Sequence, residues 1–407
     1  MLLKLLEQGV KEGTIVLYYG DGRRYRFGHG APRVAWHLRD RRTGERIARN
    51  HPLQLGQTYM DGDWHVTGGS LQELLFVLRR NFSDQSPPRL LAPALKLLQQ
   101  WNNAAASARN VSRHYDLDRQ LFELFLDRDM HYSCAYFERE GVSLEEAQQA
   151  KCRHIARKLL LRPGDRVLDI GCGWGSFARY LAQHHEVDVT GITLSREQLE
   201  YARSRARNQG LGNLRFELKD YREHEGQYDR IVSIGMFEHV GRPFHRAFFR
   251  QLRHLLKPDG VALIHTIGRG TPPGPTNPWI RRHIFPGGAI PALSEMAAAA
   301  EQSGVMQTDI EVLRLHYAHT LRAWYDRFNL HRADIAERLG ESFCRMWEFY
   351  LAACEVSFRC ADLLVYQQQL ALQHGSVPVT RDYLYEPQQW AETAPRRERP
   401  TRRLLAG

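Results

Sequence analysis

Residues 166–175 read Arg-Val-Leu-Asp-Ile-Gly-Cys-Gly-Trp-Gly, an apolar strand running into a glycine-dense turn, with a helical segment at 176–183 behind it. Gly171, Gly173 and Gly175 carry no Cβ, so the backbone can turn sharply there and lie against a ligand where a side chain would clash. The dinucleotide fingerprint needs Gly-x-Gly-x-x-Gly and an acid about 20 residues further on. This chain has Gly-x-Gly-x-Gly, and its carboxylate, Asp169, lies inside the strand end before the glycines. The tighter turn suits a nucleoside ligand without phosphates, chiefly S-adenosylmethionine. Taken alone, a packing turn in a doubly wound fold explains it as well.

The surrounding pattern sets the fold class. Helix 144–161, strand 166–170, helix 176–183, strand 187–193, helix 196–208, strands 214–218 and 231–234, helix 243–256 and strand 260–266 succeed one another. Strands alternating with helices of this length indicate parallel βαβ units and an α/β doubly wound sheet. Residues 1–82 read as a small β-rich unit, with strand patterns at 14–19, 24–27 and 34–39 and a helix at 71–78. Breakers at 83–88, an apolar helical segment at 90–98 and a small polar run at 102–110 mark a linker over 83–110. A catalytic domain over 111–390 and a basic tail over 391–407 complete the expected organisation.

Composition narrows the partners. No apolar run approaches the roughly 18 residues of a spanning helix, and residues 1–7 read as an amphipathic helix without a cleavage site, so a cytoplasmic protein is expected. The six cysteines, at 134, 152, 172, 344, 354 and 360, form no Cys-x-x-Cys pair and read as free thiols, with no metal site. A net charge of +10 attracts polyanions. The basic clusters at 23–26, 281–283 and 396–403 have no RNA-binding or zinc-finger pattern beside them; charge alone does not choose a partner, the tail reads first as a solvated face, and an anionic membrane surface is the expected contact. Each basic residue there contributes about 1 kcal/mol.

Ligands of such sheets sit beyond the carboxyl ends of the strands. Those ends carry Thr193, Leu194, Ser195 and Gln198, then Asp220 and Tyr221, then Glu238, then His265 and Ile267. Thr193 and Ser195 also read as a cap for the helix from 196. Together these residues converge on one mouth.

At this point the chain resembles the cyclopropane-fatty-acyl-phospholipid synthases and their mycolic-acid cyclopropane synthase relatives. The matching strings begin with His114-Tyr-Asp-Leu, Tyr132-Ser-Cys-Ala-Tyr-Phe137, the 167–175 turn and Gly191-Ile-Thr-Leu-Ser-x-x-Gln198. Asp229 to His239, Leu263 to Gly268, Ile284-Phe-Pro-Gly-Gly and Tyr317-Ala-His-Thr-Leu-x-x-Trp324 continue the match, and Tyr59-Met-Asp-Gly-Asp-Trp64 extends it to the N-terminal unit.

The resemblance implies a Rossmann-like class I methyltransferase sheet with a helical lid, preceded by a small α+β domain. It implies transfer of a methylene from S-adenosylmethionine to the cis double bond of a phospholipid acyl chain, through a carbocation that bound bicarbonate deprotonates. On that reading Tyr132, Ser133, Asp169, Gly171, Cys172, Gly173, Trp174, Gly175, Thr193, Leu194, Ser195, Gln198, Asp220 and Tyr221 hold the cofactor. Cys134, Glu238, His265, Ile267 and Tyr317 hold bicarbonate, with backbone amides at 134 and 267 donating and Phe137 and Tyr317 offering aromatic faces to the cation. Cys354 matches a cysteine marked in the family, although the chemistry requires no nucleophile and a small buried hydrophobe explains it.

Phe343, Met346, Phe349, Phe358 and Leu363 are expected to line an acyl channel or form a helical core, and residues 271–343 to add helices over the sheet's mouth. A homodimer follows from the same resemblance, with residues 1–82 expected to serve dimerisation or lipid docking, and the basic charge adds a transient place at the inner membrane surface. The rival readings are a methyl or methylene branch without ring closure, and a cofactor- or lipid-binding protein without activity.

Overall fold

The computed structural model describes residues 1–82 and 119–385. The expected linker over 83–110, the His114 string and the basic tail over 391–407 lie outside the described residues. A seven-stranded sheet forms the larger body. Its parallel part comprises β5 (Arg166–Ile170), β6 (Asp188–Thr193), β7 (Leu214–Leu218), β8 (Tyr228–Ile234) and β9 (Leu256–Arg269). With β10 (Met306–Leu313) and β11 (Leu363–Ala371) the order is β10-β11-β9-β8-β5-β6-β7. This is the α/β, Rossmann-like sheet of class I methyltransferases. Val167, Leu168 and Ile170 of β5 are buried, as a central strand covered on both faces requires.

Two strands depart from the parallel reading. β11 runs antiparallel to both β9 and β10, pairing Gln367 with His265 and Val365 with Ile267. Residues 271–343 add helices as expected but also contain β10, and Leu363, read as channel lining or helical core, begins β11 instead of extending a helix. Gln367, Gln368 and Gln369 interrupt the apolar pattern of β11, yet all three are buried, each with its own partner: His265, Gln307, and the Lys158 carbonyl with the Tyr383 hydroxyl. The amide nitrogens are satisfied, which makes this polar run compatible with an interior strand, while the Gln367 and Gln368 side-chain oxygens are buried without partners.

The crossover elements that matter to the site are well terminated. Helix α6 (Leu144–Leu159) opens on a capping box between Ser143 and Glu146, and Leu160 closes it in the left-handed region at φ 52°. Helix α8 (Arg196–Asn208) begins under Ser195, whose hydroxyl accepts from the Gln198 amide at 3.2 Å. Helix α12 (His316–Leu330), helix α13 (Arg332–Leu339) and the long helix α14 (Glu341–Cys360) follow β10 in the chain.

The N-terminal unit is more helical than its strand patterns suggest. Around the sheet β2-β1-β3-β4 (Arg24–His29, Gly13–Tyr19, Arg33–Leu38, Trp64–Thr67) lie α1 (Leu2–Gly9), α2 (Arg41–Arg49), α3 (His51–Met60) and α4 (Leu71–Phe82). Helix α2 escaped the sequence reading because Ile47 is its one large apolar residue; Gly44 lets it approach Leu2 and the Tyr19 hydroxyl. The unit packs on α14. Arg345 of that helix lies 4.9 Å from the Tyr59 ring centroid and donates to the Tyr59 and Trp64 carbonyls, while Arg79 pairs with Asp362 at 3.2 Å.

Candidate active site

A cavity of about 140 Å³ lies at the carboxyl ends of β5 and β6. Its wall includes Tyr132, Ser133, Asp169, Gly171, Cys172, Gly173, Trp174, Thr193, Leu194, Gln198 and Tyr221. Gly171 and Gly173 hold φ of 78° and 54°, conformations that favour glycine. A Cβ on Gly171 would meet the Met236 side chain at 2.6 Å, whereas one on Gly173 would meet nothing nearer than Gln198 Nε2 at 3.9 Å. The open space at Gly173 is thus a cradle that a side chain would fill, and it fits a ligand lying on the backbone. The Thr193 hydroxyl donates to Gln198 Oε1 at 3.0 Å, fixing both side chains at the rim. Burial pushes the Asp169 carboxyl up to about 7, against the pull of the Lys151 ammonium.

A second, larger cavity of about 1540 Å³ is mostly apolar, and its wall contains Cys134, Glu238, His265, Ile267, Tyr317 and Cys354. The two cavities share Tyr132, Ser133, Gly235 and His239 as wall residues. The Ile267 amide donates to Glu238 Oε1 at 2.6 Å, and Oε2 is buried without a partner. Burial raises the Glu238 carboxyl to about 7 and lowers the His265 imidazole to about 3, so the ring is neutral. The Gln367 amide nitrogen lies 3.1 Å from His265 Nδ1. Donation from that amide leaves the ring proton on Nε2, which is also buried and unpartnered. Burial drives the Tyr317 hydroxyl well above its ordinary range, and the hydroxyl makes no hydrogen bond among the described residues. An acceptor, Glu238 Oε2, and two donors therefore border one apolar space. The thiols of Cys134, buried, and Cys354, half-buried, are also neutral; desolvation lifts Cys354 to about 12.

Several expected positions serve other ends. Gly175, Ser195 and Asp220 are not in the wall of the small cavity: Gly175 lies against Phe216 and Ala202, Ser195 caps α8, and Asp220 is held by Arg222 at 2.6 Å. The Ile267 amide, assigned to the anion from sequence, is engaged by the Glu238 carboxylate. Phe137 lies against His316 and His319 and lines neither cavity. Phe349, Phe358 and Leu363 line the large cavity, whereas Phe343 stacks on Trp347, and neither it nor Met346 is in the cavity wall. Sequence reading missed Lys151 and His239, both in the small cavity's wall. The signal for Lys151 was present: it falls on the helical stripe Leu144, Ala147, Gln148, Lys151, Ile155, all buried. The reading also missed the N-terminal share of the large cavity, where Leu2, Leu6, Trp36, Ile47, Leu75 and Leu78 stand.

The family profile described as mycolic acid cyclopropane synthetase matches residues 102–368. The chain is 40% identical over 331 residues to the cyclopropane-fatty-acyl-phospholipid synthase of Escherichia coli (strain K12), covering 79% of this chain and 84% of that one. It is 35% identical to a probable fatty acid methyltransferase of Pseudomonas putida, over 82% of this chain and 88% of that one. The solved mycolic acid cyclopropane synthase CmaA1, complexed with SAH and CTAB, superposes with a TM-score of 0.62 at 35% identity, covering 65% of this chain and 97% of that one. The profile begins after the N-terminal unit. On the profile match over residues 102–368 and the 40% identity to the Escherichia coli synthase, this chain belongs to the mycolic acid cyclopropane synthetase family.

Proposed function

We propose that the protein is an S-adenosylmethionine-dependent cyclopropane synthase acting on the cis double bond of a phospholipid acyl chain. The observation that carries this reading is the meeting of a small cavity with a large, mostly apolar one, in whose wall Glu238 Oε2 and His265 Nε2 are both buried without partners. A polar atom buried without a partner costs roughly 1–3 kcal/mol, so two of them facing one space point to a polar guest.

S-adenosylmethionine, when bound, supplies an electrophilic methyl group. Gly171 to Trp174, Thr193, Gln198 and Tyr221 would hold it in the small cavity. An isolated alkene is a weak nucleophile, so the residues' contribution is alignment and exclusion of water, which would trap the cation as an alcohol. Phe349, Phe358 and Leu363, with Leu2, Leu6 and Ile47 of the N-terminal unit, would enclose the acyl chain.

Methyl transfer leaves a carbocation on the lipid, whose neighbouring hydrogen is acidic enough for a weak base placed within reach. Bicarbonate, when bound, supplies that base. His265 Nε2–H and the Tyr317 hydroxyl would donate to its oxygens, and Glu238 Oε2 would accept from its hydroxyl. The Ile267 amide positions Glu238, and the neutral thiols of Cys134 and Cys354 shape the wall without acting as nucleophiles.

Among the described residues no helix is long and apolar enough to cross a membrane. The net charge of +10 supports a cytoplasmic enzyme that docks reversibly on an anionic inner membrane surface, and we extend the proposal to a homodimer. The test is incubation with cis-unsaturated phospholipid vesicles and labelled S-adenosylmethionine, with and without added bicarbonate. Cyclopropane protons by NMR, increased by bicarbonate, are expected; a branched methyl product would replace ring closure with the rival fate, and absence of any labelled lipid would remove the reading.

A further inference from the structure

Lys151 is 1% exposed, at the wall of the small cavity, and its ammonium donates to the Ser133 hydroxyl at 3.0 Å. Among the described residues this is its one hydrogen bond, and no carboxylate is within ion-pair reach. An ammonium buried with a neutral hydroxyl as sole partner is costly unless an anion completes its surroundings.

The nearby acids do not supply that anion. Asp127 is spent on His131, with Oδ2 at 2.9 Å from Nδ1 and Oδ1 accepting from the His131 amide at 2.9 Å. Asp169 stands in the same cavity wall as Lys151 and has no hydrogen-bond partner among the described residues. The cavity wall therefore presents one acidic and one basic group, near enough to feel each other's charge but beyond ion-pair reach. A guest with an ammonium and a carboxylate on one carbon would satisfy both. The amino-acid end of S-adenosylmethionine is such a guest.

We propose that Lys151, together with Ser133, anchors the α-carboxylate of the methyl donor, while Asp169 faces its α-ammonium. This assignment rests on the methyl-donor reading of the small cavity. It makes Lys151 a binding residue that tethers the donor by the end remote from its reactive methyl. It also explains why a lysine occupies the buried stripe of α6.

The test is calorimetric titration of the full chain and of Lys151→Met, with S-adenosylhomocysteine and with 5′-methylthioadenosine, which lacks the amino-acid end. The variant is expected to lose about 10- to 100-fold in affinity for S-adenosylhomocysteine, the range of a hydrogen bond to a charged group. Its affinity for 5′-methylthioadenosine should stay within about twofold of the unmodified protein, the carboxylate being absent from that probe. Equal losses for both probes would make Lys151 a mere prop for the 130–137 segment and overturn the proposal, as would no loss for either.

If Lys151→Met does not fold, the unmodified protein still decides. Decarboxylated S-adenosylhomocysteine should bind it more weakly than S-adenosylhomocysteine by the same factor, and equal affinity overturns the proposal. Failure of the unmodified protein to bind either nucleoside would instead overturn the methyl-donor reading, and this proposal with it.

Discussion

The Ile267 amide holds Glu238 by one carboxylate oxygen, at 2.6 Å, and leaves the other buried without a partner. That division of labour separates what fixes the side chain from what the side chain offers a guest. Glu238→Gln keeps the shape and an oxygen for the amide. We expect it to lower turnover by about 100-fold, within the span of acid–base contributions, while leaving S-adenosylhomocysteine affinity unchanged by calorimetry. A collapse of that affinity would move Glu238 out of the proposed anion pocket.

The same carboxylate links stability to pH. Its folded value, about 7, lies above its ordinary 4.5, so the folded state favours the protonated form. Stability from this group is fully present below about 4.5 and is lost as pH rises through 7. The unfolding free energy of the ligand-free protein in urea, compared with that of Glu238→Gln, should therefore fall behind between pH 5 and pH 8.5, by on the order of 3 kcal/mol from the shift. Parallel pH curves for the two proteins would contradict the burial argument.

His265 is neutral throughout the working range, with burial holding it near 3. The pH–rate profile should therefore lack a limb from this imidazole near 6.5. Gln367→Leu removes the group beside Nδ1 and so frees the tautomer. Turnover should drop roughly tenfold with the lipid KM little changed, the pattern of an interaction made chiefly in the transition state; a change confined to KM would show that the amide only shapes the pocket.

Cys354 lines the large cavity with its thiol pushed up to about 12. A neutral thiol is a poor nucleophile. Cys354→Ala is expected to retain activity within about threefold, measured as labelled lipid formed per minute. Loss of all turnover in a folded variant would assign it a chemical role.

Arg345 joins α14 to the N-terminal unit through two carbonyls and the Tyr59 ring. Arg345→Ala should destabilise the protein by about 2 kcal/mol in urea unfolding, the scale of hydrogen bonds to a charged group. If the midpoint does not move, the contact contributes nothing to the docking of the unit.

Much of this was legible in the chain. The 166–175 turn, the alternation behind it and the residues at strand ends indicated the sheet, the glycine turn and the strand-end residues Glu238 and His265, because local periodicity and glycine geometry act over a few neighbouring residues; Tyr317, on a helix, came only with the family resemblance. The antiparallel β11 was not legible, since its three glutamines look exposed until His265, Gln307 and Tyr383 come from distant segments to meet them. Nor was the sharing of the large cavity, whose wall joins Leu2 to Tyr317.

Sequence by itself determined which residue types end each strand and which stripe of each helix is apolar. Only the tertiary structure decided which polar atoms are left without partners, Glu238 Oε2, His265 Nε2 and Lys151's incomplete shell, because hydrogen-bond satisfaction depends on groups that folding brings together from remote parts of the chain.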